Sequence, residues 1–302
     1  MHSKLIGVVC KDAGAANQIA SYIMNNPGQY IFALQNPATS IFTEILGHVE
    51  NTELEEVVKL SDEILTGSGW TSDFEWRGIR EGRKNNKKVI THLDHWNNYR
   101  ERFIRNFELN LPEELWVSDA YALQIATLLF ASTKIIRKPD YYLQAQIVRI
   151  NEMRASEIQE ERIEKSKVLF ISEPLLDSTE LGYLAQIDLG NVLKLEFLDL
   201  IDKSPNNNFE IRVRPHPSEL RREAETRSLT GTVGLSPGAS LSGDLAWADY
   251  VVGMDSYALY VADNARIPTV SIASWLGREI TIPRGNIKFL QKNNLIELLS
   301  AK

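Results

Sequence analysis

Residues 5–17 read LIGVVCKDAGAAN: an apolar β-branched run, a turn that opens on Asp12 and contains Gly14, and the start of an amphipathic stretch over Ala16–Asn25. A strand that leads through a short loop into a helix is the beginning of a βαβ unit. The alternation continues downstream. Strand-like runs recur at Tyr30–Gln35, Glu63–Thr66, Lys88–Leu93 and Leu115–Ser118. Helical stretches separate or follow them at Ser40–Gly47, Ser72–Asn85, Asn97–Glu108 and Ala120–Phe130. Strands alternating with helices of this length imply a parallel sheet.

A long charged helical stretch, Asp140 to Lys165, reads as a linker helix, and Val168–Ser172 then opens a second series. That series comprises a helix near Asn191–Lys203, a strand at Glu210–Arg214 and a helix after Ser218. A strand at Tyr250–Gly253, a helix over Ser256–Asn264, a run at Thr269–Ile272 and a closing helix in FLQKNNLIELLS complete it. The expected fold class is α/β, two Rossmann-like domains facing each other across a cleft, with residues 1–150 in the first and 151–302 in the second.

The chain has 33 Lys and Arg against 40 Asp and Glu, a formal net charge of −7. That balance argues against a nucleic-acid binder, which would carry a basic footprint, but leaves room for a small anionic ligand held by a few local cations. The single cysteine, Cys10, ends an apolar run and reads as a small buried hydrophobe. No CxxC or HExxH pattern offers a zinc site. The N-terminal apolar run is too short for a signal peptide, and no stretch reaches membrane-spanning length. A reduced, cytoplasmic protein is expected, with any membrane contact peripheral and at the inner face of the membrane.

In folds of this kind ligands bind outside the carboxyl ends of the strands, and unusual residues gather there. After the first strand, Asp12, Gly14 and Asn17 lie where a helix N-terminus offers free amides. Asp12 reads either as an N-cap or as an active-site carboxylate, and the loop is not a GxGxxG dinucleotide fingerprint. After the third strand, Gly67-Ser68-Gly69-Trp70 form an amide-rich turn, and Ser72 with Glu75 has capping-box spacing, which makes Glu75 structural first. The cations Arg80, Arg83, Lys84, Lys87 and Lys88 near the end of the following helix need only its dipole to explain them. After KVITHL comes DHWNNYRERF, residues 94–103, which concentrates Asp94, His95, Tyr99 and Arg100 at a strand end; a helix starting near Trp96 would place Tyr99 and Arg100 in its first turn.

In the second half, Glu173 ends the first strand and reads either as an acceptor for a ribose or a base or as an ordinary solvated carboxylate. Arg214-Pro215-His216-Pro217-Ser218 follows the next strand, its two prolines fixing an imidazole at a helix entrance, a setting suited to a phosphate. Asp255 and Ser256, in Gly253-Met254-Asp255-Ser256, either cap the next helix or present its amides to a second phosphate oxygen.

These residues resemble GT-B glycosyltransferases, and the second half is similar to bacterial sialyltransferases and related transferases of Kdo, pseudaminic or legionaminic acid. Those families carry an HP motif and a later serine motif, matched here by His216-Pro217 and Ser256, and an acidic residue beside a glycine, approximated by Asp12-Ala13-Gly14. The resemblance implies transfer of a sugar from a nucleotide-sugar donor, CMP-activated by preference, to a glycan acceptor, without a cofactor or a metal. Asp12, or failing it Asp94, would be the base, and His216 with Ser256 would stabilise the departing phosphate. There is no DxD motif, and the sequence shows no carboxylate cluster. A UDP-sugar 2-epimerase, a nucleotide-sugar hydrolase and a non-catalytic nucleotide-sugar binder on the same fold are the competing expectations.

Overall fold

The computed structural model describes residues 4–70, 72–157, 165–174, 188–204, 209–216, 219, 233–236 and 240–300. The chain divides into two compact units, Met1–Gln144 and Ala145–Lys302.

The first unit runs β1 (Leu5–Cys10), α1 (Ala13–Asn25), β2 (Gln29–Leu34), α2 (Ala38–Leu46), α3 (Leu54–Leu60), β3 (Glu63–Thr66), α4 (Phe74–Lys84) and β4 (Lys88–His92). A short antiparallel ribbon, β5 (Ile104–Arg105) and β6 (Glu108–Leu109), is inserted before β7 (Glu114–Val117), α5 (Ala120–Leu129) and β8 (Lys134–Arg137). The six main strands are all parallel, in the order β2-β1-β3-β4-β7-β8. The chain steps from β1 to one side and then returns to the other, so β1 and β3 flank the point where strand order reverses. Ala15, Ala16 and Ala20 let α1 lie close over Val8, Cys10 and Leu65, and Phe42 closes the same core.

After α6 (Tyr141–Glu157), the second unit contains β9 (Ser166–Ile171), α7 (Leu189–Asp202), β10 (Phe209–Arg214), β11 (Val233–Leu235), α8 (Leu241–Trp247), β12 (Tyr250–Gly253), α9 (Tyr257–Asn264), β13 (Thr269–Ser271), β14 (Lys288–Phe289) and α10 (Lys292–Ser300). Its sheet is again fully parallel, ordered β11-β10-β9-β12-β13-β14. Renumbered within the unit this is 3-2-1-4-5-6, the Rossmann order, and the switch point lies between β9 and β12. The burial pattern of β9, with four consecutive buried residues at its end, is that of a central strand covered on both faces. Phe170 on β9 and Phe197 on α7 stack at 4.8 Å between centroids, both fully buried.

One expected element does not form. Asn97–Glu108 is not a helix: a single 3-10 turn at Glu101–Phe103 leads into the β5–β6 ribbon. Trp96, Tyr99 and Phe103 are all buried, and their spacings of three and four imitate a helical stripe. The backbone is turned by other means, with Asn98, Asn106 and Phe107 at φ of 51°, 49° and 64°. The helix expected after Ser218 lies outside the described residues. Short elements without a clear period, α3, β8 and α8, were not anticipated.

Truncating Phe197 to Ala removes a ring from the best-packed part of the second core and should cost about 3–5 kcal/mol. Denaturant unfolding should show the loss as a lowered midpoint at unchanged slope.

Candidate active site

The first unit concentrates its polar chemistry where β1 and β3 diverge. Asp12 follows β1 directly and caps α1, its Oδ1 accepting from the backbone N–H of Gly14 at 3.0 Å and Ala15 at 3.1 Å. Its other oxygen makes no hydrogen bond among the described residues, so the cap and a free carboxylate oxygen coexist. The loop after β3 passes close by: a Cβ at Gly69 would lie 3.1 Å from Asp12 Cβ and 3.2 Å from Glu75 Oε2. A Cβ at Gly14 would fall 2.1 Å from Asp94 Oδ2, so only glycine lets Asp94 approach.

Glu75 is not a capping-box residue. Asp73, at the N-cap of α4, makes no side-chain cap bond, and Ser72 Oγ accepts from the N–H of Phe74 at 3.1 Å. Glu75, 1% exposed, instead reaches the β1–α1 turn, where its Oε1 accepts from the N–H of Lys11 at 2.7 Å and of Asp12 at 2.8 Å. Its Oε2 is buried without a hydrogen-bond partner among the described residues. Two part-buried backbone donors thus depend on one carboxylate oxygen.

Asp94 sits just past β4, buried beside Arg102. Its Oδ1 accepts from Arg102 Nη1 at 2.8 Å and from Ser68 Oγ at 3.0 Å. Arg102 also donates to Ser68 O at 2.9 Å and, through Nε, to Asn97 O at 3.1 Å. Burial opposes ionisation of Asp94, but the Arg102 guanidinium, His95 and the Ser68 hydroxyl together hold its carboxyl below the usual range. For Asp12 the result is opposite. Burial first and the Asp94 charge second, against the pull of the Ala15 amide and Arg102, push its carboxyl up to about 7. Beneath them, burial takes His92 down to about 4, so its imidazole is neutral at physiological pH. No carboxylate cluster was expected; Asp12, Glu75 and Asp94 form one around Gly14 and Gly69.

The remaining expected residues of this unit have other attachments. Asn17 donates its side-chain amide to Ala13 O at 2.9 Å within its own helix. Gly67 lies against Ala15 and Cys10. His95 packs edge-on to Trp96, whose Nε1 donates to Asp119 at 2.7 Å. Tyr99 is buried and stacked on Phe130, its hydroxyl is without a hydrogen-bond partner among the described residues, and burial raises its pKa. Arg100 is exposed.

In the second unit the same logic applies at the β9/β12 switch point. Glu173 Oε2 accepts from the N–H of Asp255 at 3.0 Å, linking the loops that follow the two strands. Burial, with smaller pushes from the Asp255 and Glu219 charges, brings Glu173 up to about 7. Asp255 spends its carboxylate on the N–H of Thr281 and Ile282 and on the Thr281 hydroxyl, at 2.8, 3.1 and 2.7 Å, and so holds that loop. Ser256 caps α9, accepting from Ala258 N–H at 3.2 Å.

His216 lies past β10. Its N–H donates to Glu219 Oε2 at 2.7 Å, while Glu219 Oε1 accepts from Ser172 Oγ at 2.9 Å, which pins the histidine loop to the end of β9. The imidazole reaches solvent, yet the surrounding protein lowers its pKa, partly offset by Glu219. Arg214 forms an ion pair with buried Asp244, which also accepts from Ser236 Oγ at 2.6 Å. Pro217 and Ser218 lie outside the described residues. Glu75, Glu219 and the inward course of Arg102 are the site features that the sequence reading missed.

No family model matches the chain, and no curated protein matches it in sequence. Solved structures match over nearly its whole length. A UDP-GlcNAc 2-epimerase from Methanocaldococcus jannaschii superposes with a TM-score of 0.64 at 13% identity, covering 99% of this chain and 93% of its own. A UDP-GlcNAc 2-epimerase from Neisseria meningitidis, bound to UDP-GlcNAc, gives 0.60 at 12%, covering 98% and 90%. A variant of the wall teichoic acid polymerase TagF gives 0.60 at 12%, covering 98% and 79%. The fold is therefore that of the GT-B class, α/β with two Rossmann-like domains. At these identities the likeness carries the fold alone.

Replacing Arg102 by Met leaves Asp94 buried without its counter-charge. The variant should lose about 3–5 kcal/mol, read by thermal or denaturant unfolding near neutral pH.

Proposed function

We propose that this chain is a glycosyltransferase of the GT-B class that moves a sugar from a nucleotide-activated donor to a glycan acceptor. The observation that carries the reading is Asp12: a carboxyl raised to about 7, one oxygen fixed by helix amides and the other unengaged among the described residues. A general base works best with a pKa near the operating pH. Asp94, held ionised by Arg102, is too weak a base for that task and acts as the charge that tunes Asp12.

In this reading Asp12 takes the proton of the acceptor hydroxyl as its oxygen attacks the anomeric carbon. The bond from that carbon to the phosphate oxygen breaks and its electron pair leaves with the phosphate. His216, neutral at physiological pH, donates an N–H to the developing charge, alongside the amides at the start of α9. Glu173 accepts from the nucleoside. Within the class, the resemblance at His216-Pro217 and Ser256 favours a CMP-activated nonulosonic acid, transferred with inversion.

A second reading, UDP-sugar 2-epimerase, is supported by the UDP-GlcNAc 2-epimerases among the structural neighbours. Incubation with CMP-sialic acid and with UDP-GlcNAc, each with and without an oligosaccharide acceptor, separates the readings. A transferase consumes donor into an acceptor product. Interconversion of UDP-GlcNAc without acceptor supports the epimerase, and nucleotide binding without turnover of any donor supports a binding protein.

For the transferase, Asp12→Asn should lower kcat by about 10²–10⁴-fold with donor affinity retained. Because the raised carboxyl is a base only when ionised, kcat/KM of the wild type should climb as pH rises through about 7. A pH profile flat from 5 to 8 would remove Asp12 from the role.

A further inference from the structure

The β5–β6 ribbon carries a feature that neither the fold nor the catalytic cluster uses. Its two-residue turn, Asn106-Phe107, has both residues at positive φ, the geometry of a type I′ turn. Glycine is favoured at the second position, and a bulky side chain there is strained. This chain places Phe107 at that position, fully exposed to solvent.

The rest of the ribbon is two-faced. Ile104 and Leu109 are cross-strand partners and share one face, exposed at 37% and 46%. Arg105 and Glu108 pair on the other. Arg105 Nη2 donates to the carbonyls of Gly69, Trp70 and Ser72 at 3.1, 3.0 and 2.7 Å, stapling the ribbon to the loop that ends beside Asp12. That loop brings Trp70, itself 51% exposed. The base of the ribbon is rigid: Phe103 is buried edge-on against Phe130 at 5.4 Å, and its carbonyl accepts from Asn110 N–H at 2.9 Å. Three large apolar side chains, Ile104, Phe107 and Leu109, are therefore exposed on an anchored ribbon, and Trp70 is exposed on the loop that Arg105 holds.

We propose that this ribbon inserts into the interfacial region of a lipid bilayer, with Phe107 at its tip, Ile104 and Leu109 behind it, and Trp70 on the adjoining loop. A two-residue-per-strand ribbon is far too small for a stable contact with a second copy, which needs roughly 800 Å² from each partner. A convex apolar tip with a nearby indole matches the bilayer interface, where tryptophan is enriched and apolar side chains enter the acyl boundary. Among the described residues no helix is long and apolar enough to cross a membrane, so the contact is superficial. In consequence the Asp12 loop is held next to the lipid surface, and the acceptor is a lipid-linked glycan. Only this last step rests on the transferase reading; the membrane contact does not.

Flotation of the full-length protein with phosphatidylcholine vesicles, and with vesicles containing phosphatidylglycerol, at low and high salt and without any donor, tests the contact independently of turnover. The wild type should float with both vesicle types, with binding that persists at high salt. Phe107→Gly suits the turn and should leave the melting temperature unchanged or higher, while lowering vesicle affinity tenfold or more. Ile104→Ser with Leu109→Ser should lower it in the same direction. Three results would overturn the proposal: a wild type that stays in solution with both vesicles, a Phe107→Gly variant that floats equally well, or a self-association abolished by Phe107→Gly. If the ribbon inserts but no donor is turned over, the membrane contact stands and the transferase reading falls.

Discussion

Arg102 enters the interior of the first unit and neutralises Asp94 there, with both side chains almost wholly removed from water. Burying two charges is costly unless their hydrogen bonds are met, and here Ser68 and Asn97 accept what Asp94 does not. Much else follows from this pair. An ionised Asp94 lies against Gly14, so the β1–α1 turn has no room for a side chain at that position. Its charge adds to burial in raising Asp12. The inward course of Arg102 also folds residues 97–103 over the site, and the ribbon then projects outward from that fold.

The two units place a perturbed carboxyl at the same topological position, just past the first strand and beside the switch point. Asp12 and Glu173 are both brought to about 7, and in both burial is the largest cause. They differ in the second cause. Asp12 feels a full neighbouring charge fixed by an ion pair, whereas Glu173 feels more modest pushes and is bonded to the Asp255 amide. A group tuned by an ion pair suits proton transfer, and a group joined to a neighbouring loop suits recognition.

Much of the fold was legible because each main strand is a short apolar run whose ends are marked by polar or glycine-bearing loops. Glu63–Thr66 and Tyr250–Gly253 lie where the pattern placed them. Residues 97–108 misled because an irregular segment buried Trp96, Tyr99 and Phe103 at helical spacing. The site was legible only as a set of loops after strands. Glu75 bonds to amides 63 and 64 residues earlier in the chain, and local spacing offered a capping box instead. Asp94 and Asp12 could be named from sequence, but not that one is held ionised while the other is raised to about 7. That distinction lives in tertiary distances.

The most direct test is a carboxyl-carbon NMR titration of protein labelled at aspartate, with Asp12 assigned by its loss in Asp12→Asn. The Asp12 carboxyl should titrate near 7 in the wild type, and lower in Asp94→Asn, where the neighbouring charge is gone while burial remains. A wild-type Asp12 that titrates at about 4, like an exposed aspartate, would contradict the electrostatic coupling on which the catalytic assignment stands.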